Sequence, residues 1–245
     1  MNAVTTEHRG AISMIRINRP ERMNAINKAV AIEMQQAFQE FDADPAQRVA
    51  ILSGVGDRAF SAGADVNDLP ELWRAIPTVG FKTDKPIIAA TSGWVIGGGI
   101  VMAMMCDLMV STESTIFYYP EARLGTTAGG ISSLVSRMPH KLAMEIMLLG
   151  TKVPAQRAYD VGFTNRVVPN GQHEAEALVM AEQLLESAPL VIAALKRLVA
   201  QVTPMGPIEH MVEVSQIIAS VRQSEDLKEG IQAYKEKRKP NFQGR

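Results

Sequence analysis

The stretch from Pro86 to Val110, PIIAATSGWVIGGGIVMAMMCDLMV, constrains the fold of this chain more than any other. It is apolar over a length sufficient to span a bilayer. Ser92, Gly93 and the triplet Gly97-Gly98-Gly99 interrupt it, however, and Asp107 lies inside its end. A buried strand, a glycine turn and a buried helix account for this pattern better than a membrane span. The chain therefore has to supply a core large enough to cover them. With 47% apolar residues in a chain of 245, it can do so as one large domain or one domain with an appendage.

The flanking pattern indicates what covers them. Residues 11–17, 49–53 and 87–91 read as strands, and 108–112 and the residues around Ile116-Phe117 read as short extended pieces. Asn27 reads as the N-cap of a helix over 28–42, with Val30, Met34, Ala37, Phe38 and Phe41 at helical spacing and Asp44-Pro45 ending it. A helix over 100–106 follows the glycines. Another starts near Ser132 or Ser133, and a third over 141–149 ends at Gly150. Residues 154–161 read as a short helix, 167–168 as a strand, and 173–187, 189–201 and 208–239 as helices. Alternating strands and helices, then helices alone, predict an α/β fold with a mostly parallel sheet followed by a helical region.

Several function classes fall away. Twenty-five Lys and Arg against 26 Asp and Glu leave a net charge of −1, without the basic excess of a nucleic-acid binder. The single cysteine, Cys106, reads as core and excludes an internal disulfide or a cysteine zinc site. His8, His140, His173 and His210 are scattered without metal-ligand spacing, so no metal is expected; His140 reads as a helix cap. The opening MNAVTTEHRG has neither an apolar signal region nor an Arg- and Ser-rich targeting stretch, so a cytoplasmic protein with no membrane partner is expected.

Two glycine-rich segments remain, Phe60-Ser61-Ala62-Gly63-Ala64-Asp65 and Gly93-Trp94-Val95-Ile96-Gly97-Gly98-Gly99. Small residues allow the backbone to approach a ligand closely. A glycine run at a helix start leaves N–H groups free for an anion. Two such donors converging on one oxygen form an oxyanion hole. A phosphate-binding P-loop would need Gly-Lys-Ser/Thr where Ile100-Val101 stand, and the dinucleotide spacing GxGxxG is absent.

FSAGAD, KPIIAATSGWVIGGG and MAMMCDLMVSTESTIFYYPEARLG together resemble the enoyl-CoA hydratase/isomerase (crotonase) family. NRPERMNAI, AMEIMLLGTKVPAQRAYDVGFTNRVVP and EGIQAYKEKRKPNF extend the resemblance from about residue 10 to 242. It implies a crotonase (ClpP/crotonase-like) fold: a spiral of ββα units over residues 1–186 with an acyl-CoA site, then a helical oligomerisation region over 187–245. It implies a homotrimer or a hexamer built as a dimer of trimers, and an acyl-CoA thioester as substrate with no further cofactor.

The resemblance also implies roles. The Ala64 and Gly98 N–H groups form the hole for a thioester enolate. Ala62, Gly63, Asp65 and Gly97 surround the ligand, Arg22 reaches the CoA phosphates, and Tyr234 and Lys237 on the last helix reach CoA held by a neighbouring subunit. Hydratases of the family carry two glutamates. Glu121, in Pro120-Glu121, matches one; the other position is Val101, an apolar residue lining the site. The stretch 65–85, which normally forms the lid, and the loop 121–130 are both shorter than the family pattern.

One carboxylate beside an oxyanion hole suits abstraction and return of one proton, as in moving a double bond from the 3- to the 2-position of an enoyl thioester. The alternatives are hydration with one glutamate or with help from Tyr118 or Tyr119, and an acyl-CoA binder without catalysis. Tyr119 is expected to line the acyl pocket.

Overall fold

The computed structural model describes residues 2–127 and 129–245, without the side chains at positions 216, 217, 219, 220 and 222. Its first element is β1 (Val4–Arg9), paired antiparallel with β2 (Ile12–Ile17) across the Gly10-Ala11 turn. The expected strand over 11–17 is β2. β1 is additional: five of its six residues are polar, so it carries no hydrophobic alternation and exists by pairing with its neighbour.

α1 (Lys28–Ala43) follows, with the Asn27 side chain accepting from the Val30 N–H at 3.0 Å, as the cap reading requires. Three units then repeat one pattern. β3 (Val49–Gly54), β5 (Ile87–Thr91) and β7 (Leu108–Thr112) lie side by side and parallel in one sheet, ordered β1-β2-β3-β5-β7-β10, with β10 (Arg166–Val168) at its edge. Each is followed by a three-residue strand in a second sheet. These are β4 (Ala59–Ser61), β6 (Trp94–Ile96) and β8 (Ile116–Tyr118), with β9 (Val153–Pro154) on its edge. A helical piece completes each unit: a 3-10 turn at Leu72–Ala75, α2 (Gly98–Met104) and α3 (Glu121–Leu124). This is the ββα spiral. The second strands are too short to show a period, so β4 and β6 lie where the sequence shows only glycine-rich loops.

The apolar runs are explained by burial of both faces of the larger sheet. Ile15, Leu52 and Ala89 face the main core with α1 and α2, while their neighbours Met14, Ile51 and Ile88 face α6 (His173–Leu185) through Ala177, Met180 and Ala181.

Differences concentrate where helices are irregular. Residues 130–136 form a 3-10 helix, and α4 (His140–Met144) runs into a π-helical turn, Glu145–Leu149. The His140 side chain makes no capping hydrogen bond, so that reading is corrected: Pro139 holds the N-cap position. α5 (Ala155–Asp160) matches the short helix expected there. α7 (Pro189–Val202) is separate, and the helix expected over 208–239 is two, α8 (Pro207–Arg222) and α9 (Glu225–Glu236). They break at Ser224, whose side chain accepts from the Leu227 N–H.

α7 has no buried residue; Leu190, at 85% exposure, Val191, Leu195, Leu198, Val199 and Val202 face outward. Among the described residues no single helix is long and apolar enough to cross a membrane.

Candidate active site

β6 and β8 are parallel and pair Ile96 with Tyr118, so both strands end at one edge. The chain leaves β6 into Gly97-Gly98 and leaves β8 into Tyr119-Pro120-Glu121, with the Gly97 N–H donating to the Tyr118 carbonyl at 3.0 Å. This register brings the Glu121 carboxylate against Gly97. A Cβ on Gly97 would lie 2.2 Å from Glu121 Oε1, and its φ of 54° and ψ of −117° are values an L side chain rarely adopts.

The first motif arrives from the other side. In the isolated parallel bridge between Ile26 and Ala64, the Ile26 N–H donates to the Gly63 carbonyl and the Asp65 N–H to the Ile26 carbonyl, both at 2.8 Å. Residue 64 is thus flanked by these bonds, and its own N–H points to the opposite side. Gly63, at φ 81°, brings this loop close: a Cβ there would lie 3.1 Å from the Gly98 nitrogen. Among the described residues neither the Ala64 N–H nor the Gly98 N–H has an acceptor. The Leu72 side chain, in the stretch expected to be a lid, lies over Gly98, 2.8 Å from where a Cβ would stand.

Glu121 is half-buried, and its Oε2 is buried without a hydrogen-bond partner. Burial pushes its carboxyl up to about 7, offset in part by a hydrogen bond from its own backbone N–H. A carboxyl poised there exchanges protons readily near neutral pH. Val101 is one turn further along α2, 6% exposed, with its Cγ1 3.2 Å from a Cβ position on Gly130 and Ile208 beside it. The surroundings of Val101 are therefore packed hydrocarbon.

Tyr119 is buried beside Glu121, its hydroxyl paired with Thr127 Oγ1 at 3.0 Å. Burial raises its phenol above the usual value, and the Glu121 charge adds to this. Tyr118 faces elsewhere, near the Trp94 ring and under the Lys152 ammonium.

The other expected ligand residues are more dispersed. The Ala62 N–H is taken by the Met23 carbonyl. The Asp65 carboxyl is held below its usual value by the Asn67 N–H, then by Arg19, with the Arg22 charge adding. Arg22 itself is exposed at the end of a 3-10 turn, Pro20–Arg22. Tyr234, 86% exposed, lines an apolar groove along α9 with Leu227, Ile231 and the C-terminal Phe242. Lys237 is not within α9 but caps it, at φ 53°. Sequence reasoning assigned no role to Arg19 or Leu72; each meets the site across more than 25 residues of chain, a separation that leaves no local signal.

The model of the enoyl-CoA hydratase/isomerase family matches residues 7–245. The chain belongs to that family. It is 37% identical to a protein named carnitinyl-CoA dehydratase from Salmonella typhi over 253 aligned residues, covering 96% of each chain. Among solved structures, it resembles an enoyl-CoA hydratase from Mycobacterium tuberculosis H37Rv, with 34% identity, a TM-score of 0.78 and full coverage of both chains. It also resembles a carnitinyl-CoA hydratase from Mycobacterium avium, with 35% identity, the same TM-score and full coverage. The crotonase fold and an acyl-CoA-processing enzyme of this family follow from these matches.

Proposed function

We propose that this enzyme moves a proton on an enoyl-CoA with Glu121 as its only carboxylate, shifting a double bond in preference to adding water. The observation that carries the reading is the pairing of a half-buried Glu121, its Oε2 unpartnered, with an apolar, packed Val101. The Glu121 carboxylate takes a C2 proton from a 3-enoyl thioester. The negative charge spreads to the thioester oxygen, which accepts from the Ala64 and Gly98 N–H groups. The same carboxyl then returns the proton at C4, giving the 2-enoyl thioester. CoA enters as part of the substrate, and no further cofactor takes part.

Dehydration of a 3-hydroxyacyl thioester is the second reading, favoured by the similarity to proteins named carnitinyl-CoA dehydratase. There Glu121 would take the C2 proton and return it to the departing hydroxyl. The two readings separate in one assay. Double-bond shift of 3-hexenoyl-CoA is expected to outrun hydration of crotonyl-CoA. Faster hydration that depends on Glu121 overturns the first reading in favour of the second. Acyl-CoA binding with neither reaction favours a catalytically silent binder.

A homotrimer, or a hexamer of two trimers, fits the outward apolar faces of α7 and of α8, where Met211, Val214 and Val221 are exposed. Faces this apolar resemble an obligate interface before assembly. Light scattering is expected to give a multiple of three times the 26.7 kDa chain; a stable monomer contradicts this. Arg22, Tyr234 and Lys237 then serve CoA at the edge of that assembly, and the enzyme works in the cytoplasm.

A further inference from the structure

The segment 18–26, NRPERMNAI, wraps the loop that carries Ala64, and its inward-facing cation is Arg19 rather than Arg22. Arg19 Nη1 donates to the Ala25 carbonyl at 2.7 Å and to Asp65 Oδ2 at 3.0 Å. Both charged side chains are largely covered, at 17% and 13% exposure. Ala25 precedes the residue that bridges Ala64, and Asp65 follows Ala64, so one guanidinium ties together both strands of the bridge.

The rest of the segment supports the same loop. Ser61 Oγ donates to the Asn24 carbonyl at 2.9 Å, and the buried Asn24 amide donates to the Ala59 and Val55 carbonyls. Met23 and Asn24 both adopt left-handed backbone, at φ 50° and 55°. Two successive non-glycine residues in that region are costly and persist only where the surroundings hold them.

We propose that Arg19 is a positioning residue that, through Asp65 and the Ala25 carbonyl, sets the direction of the Ala64 N–H toward the thioester oxygen. The direction of that N–H follows from the plane of the 63–64 peptide. The bonds at Gly63 and Asp65 hold that plane, and Arg19 closes the frame around them. This inference rests on the oxyanion role of Ala64 in the proposed function.

The test uses the full-length enzyme and incorporation of solvent deuterium at C2 of butyryl-CoA. Arg19→Met retains length and removes both hydrogen bonds made by Nη1; Arg19→Lys retains the charge. Arg19→Met is expected to lower kcat for exchange by about 10- to 100-fold, as for a misaimed rather than a deleted donor, with KM nearly unchanged. Arg19→Lys is expected to recover most of that loss. Arg9→Ala, which breaks an exposed ion pair with Glu7 on β1, serves as the control with parental rates.

A crystal structure of Arg19→Met gives a readout independent of turnover. The Ala64 nitrogen is expected to move relative to the Gly98 nitrogen by about 0.5 Å or more, the tolerance of a preorganised site. Parental kcat in Arg19→Met, a loss confined to KM, or an unmoved Ala64 nitrogen overturns the proposal. Parental exchange that is absent or indifferent to Glu121→Gln overturns the catalytic reading instead, and the Ala64 displacement then still decides the role of Arg19.

Discussion

Glu121→Gln is expected to lower C2 proton exchange and double-bond shift by about 10²- to 10⁴-fold, the range for loss of a positioned general base. The substitution retains shape and removes only the group that takes the proton, so acyl-CoA affinity is expected to stay near that of the parent. In the parent, exchange should rise with pH and level off above about 7, where burial has moved the carboxyl. In the variant that rise should vanish.

A second consequence concerns stability. Because the folded-state value lies above the ordinary 4.5, the folded protein binds more protons than the unfolded chain between 4.5 and about 7. The stability linked to this group is present below that window and is lost as pH rises through it. Glu121→Gln removes the penalty of a buried carboxylate, so its melting temperature is expected to exceed the parental one at pH 8, with the gap closing toward pH 4.5. A variant less stable than the parent at pH 8, or parental exchange without a rise near pH 7, contradicts the assignment.

Gly97→Ala is expected to be nearly as damaging without touching a reacting group. The new methyl would stand 2.2 Å from Glu121 Oε1 and 3.3 Å from Cδ, so the carboxylate has to leave its position. The backbone at φ 54° and ψ −117° is also one that L side chains rarely adopt, and Gly98, the proposed second oxyanion donor, is the next residue. Displacing a catalytic group by about an ångström costs on the order of 10²-fold; here the proposed base has to move, so a loss of about that size is expected. If the loss acts through Glu121, Gly97→Ala added to Glu121→Gln costs little more. Independent, multiplicative losses would place the damage elsewhere.

The wild-type residues show how much of this was legible. The parallel sheet could be read from 87–91 because both of its faces are buried, and buried strands are written as unbroken apolar runs. α1 could be read because its apolar face has helical spacing and Asn27 caps it. The strands of the second sheet could not. Ala59–Ser61 and Trp94–Ile96 are three residues each, shorter than any window in which a period shows, and they exist because partners hold them. Glu121 and the two glycine motifs were legible as residues of the right kind. Their meeting was not: the register that pairs Ile96 with Tyr118 is what brings Glu121 against Gly97.

By itself, the sequence determined the family, the two glycine-rich motifs and the absence of a carboxylate at position 101, since each is a matter of which residue stands at which position. Only the tertiary structure decided what surrounds them. Val101 is packed against Gly130, Glu121 is left with an unpartnered oxygen and an elevated pKa, and Arg19 rather than Arg22 faces inward to Asp65, 46 residues away. Burial and long-range hydrogen bonds belong to pairs of residues distant in the chain, and no local stretch of sequence encodes them.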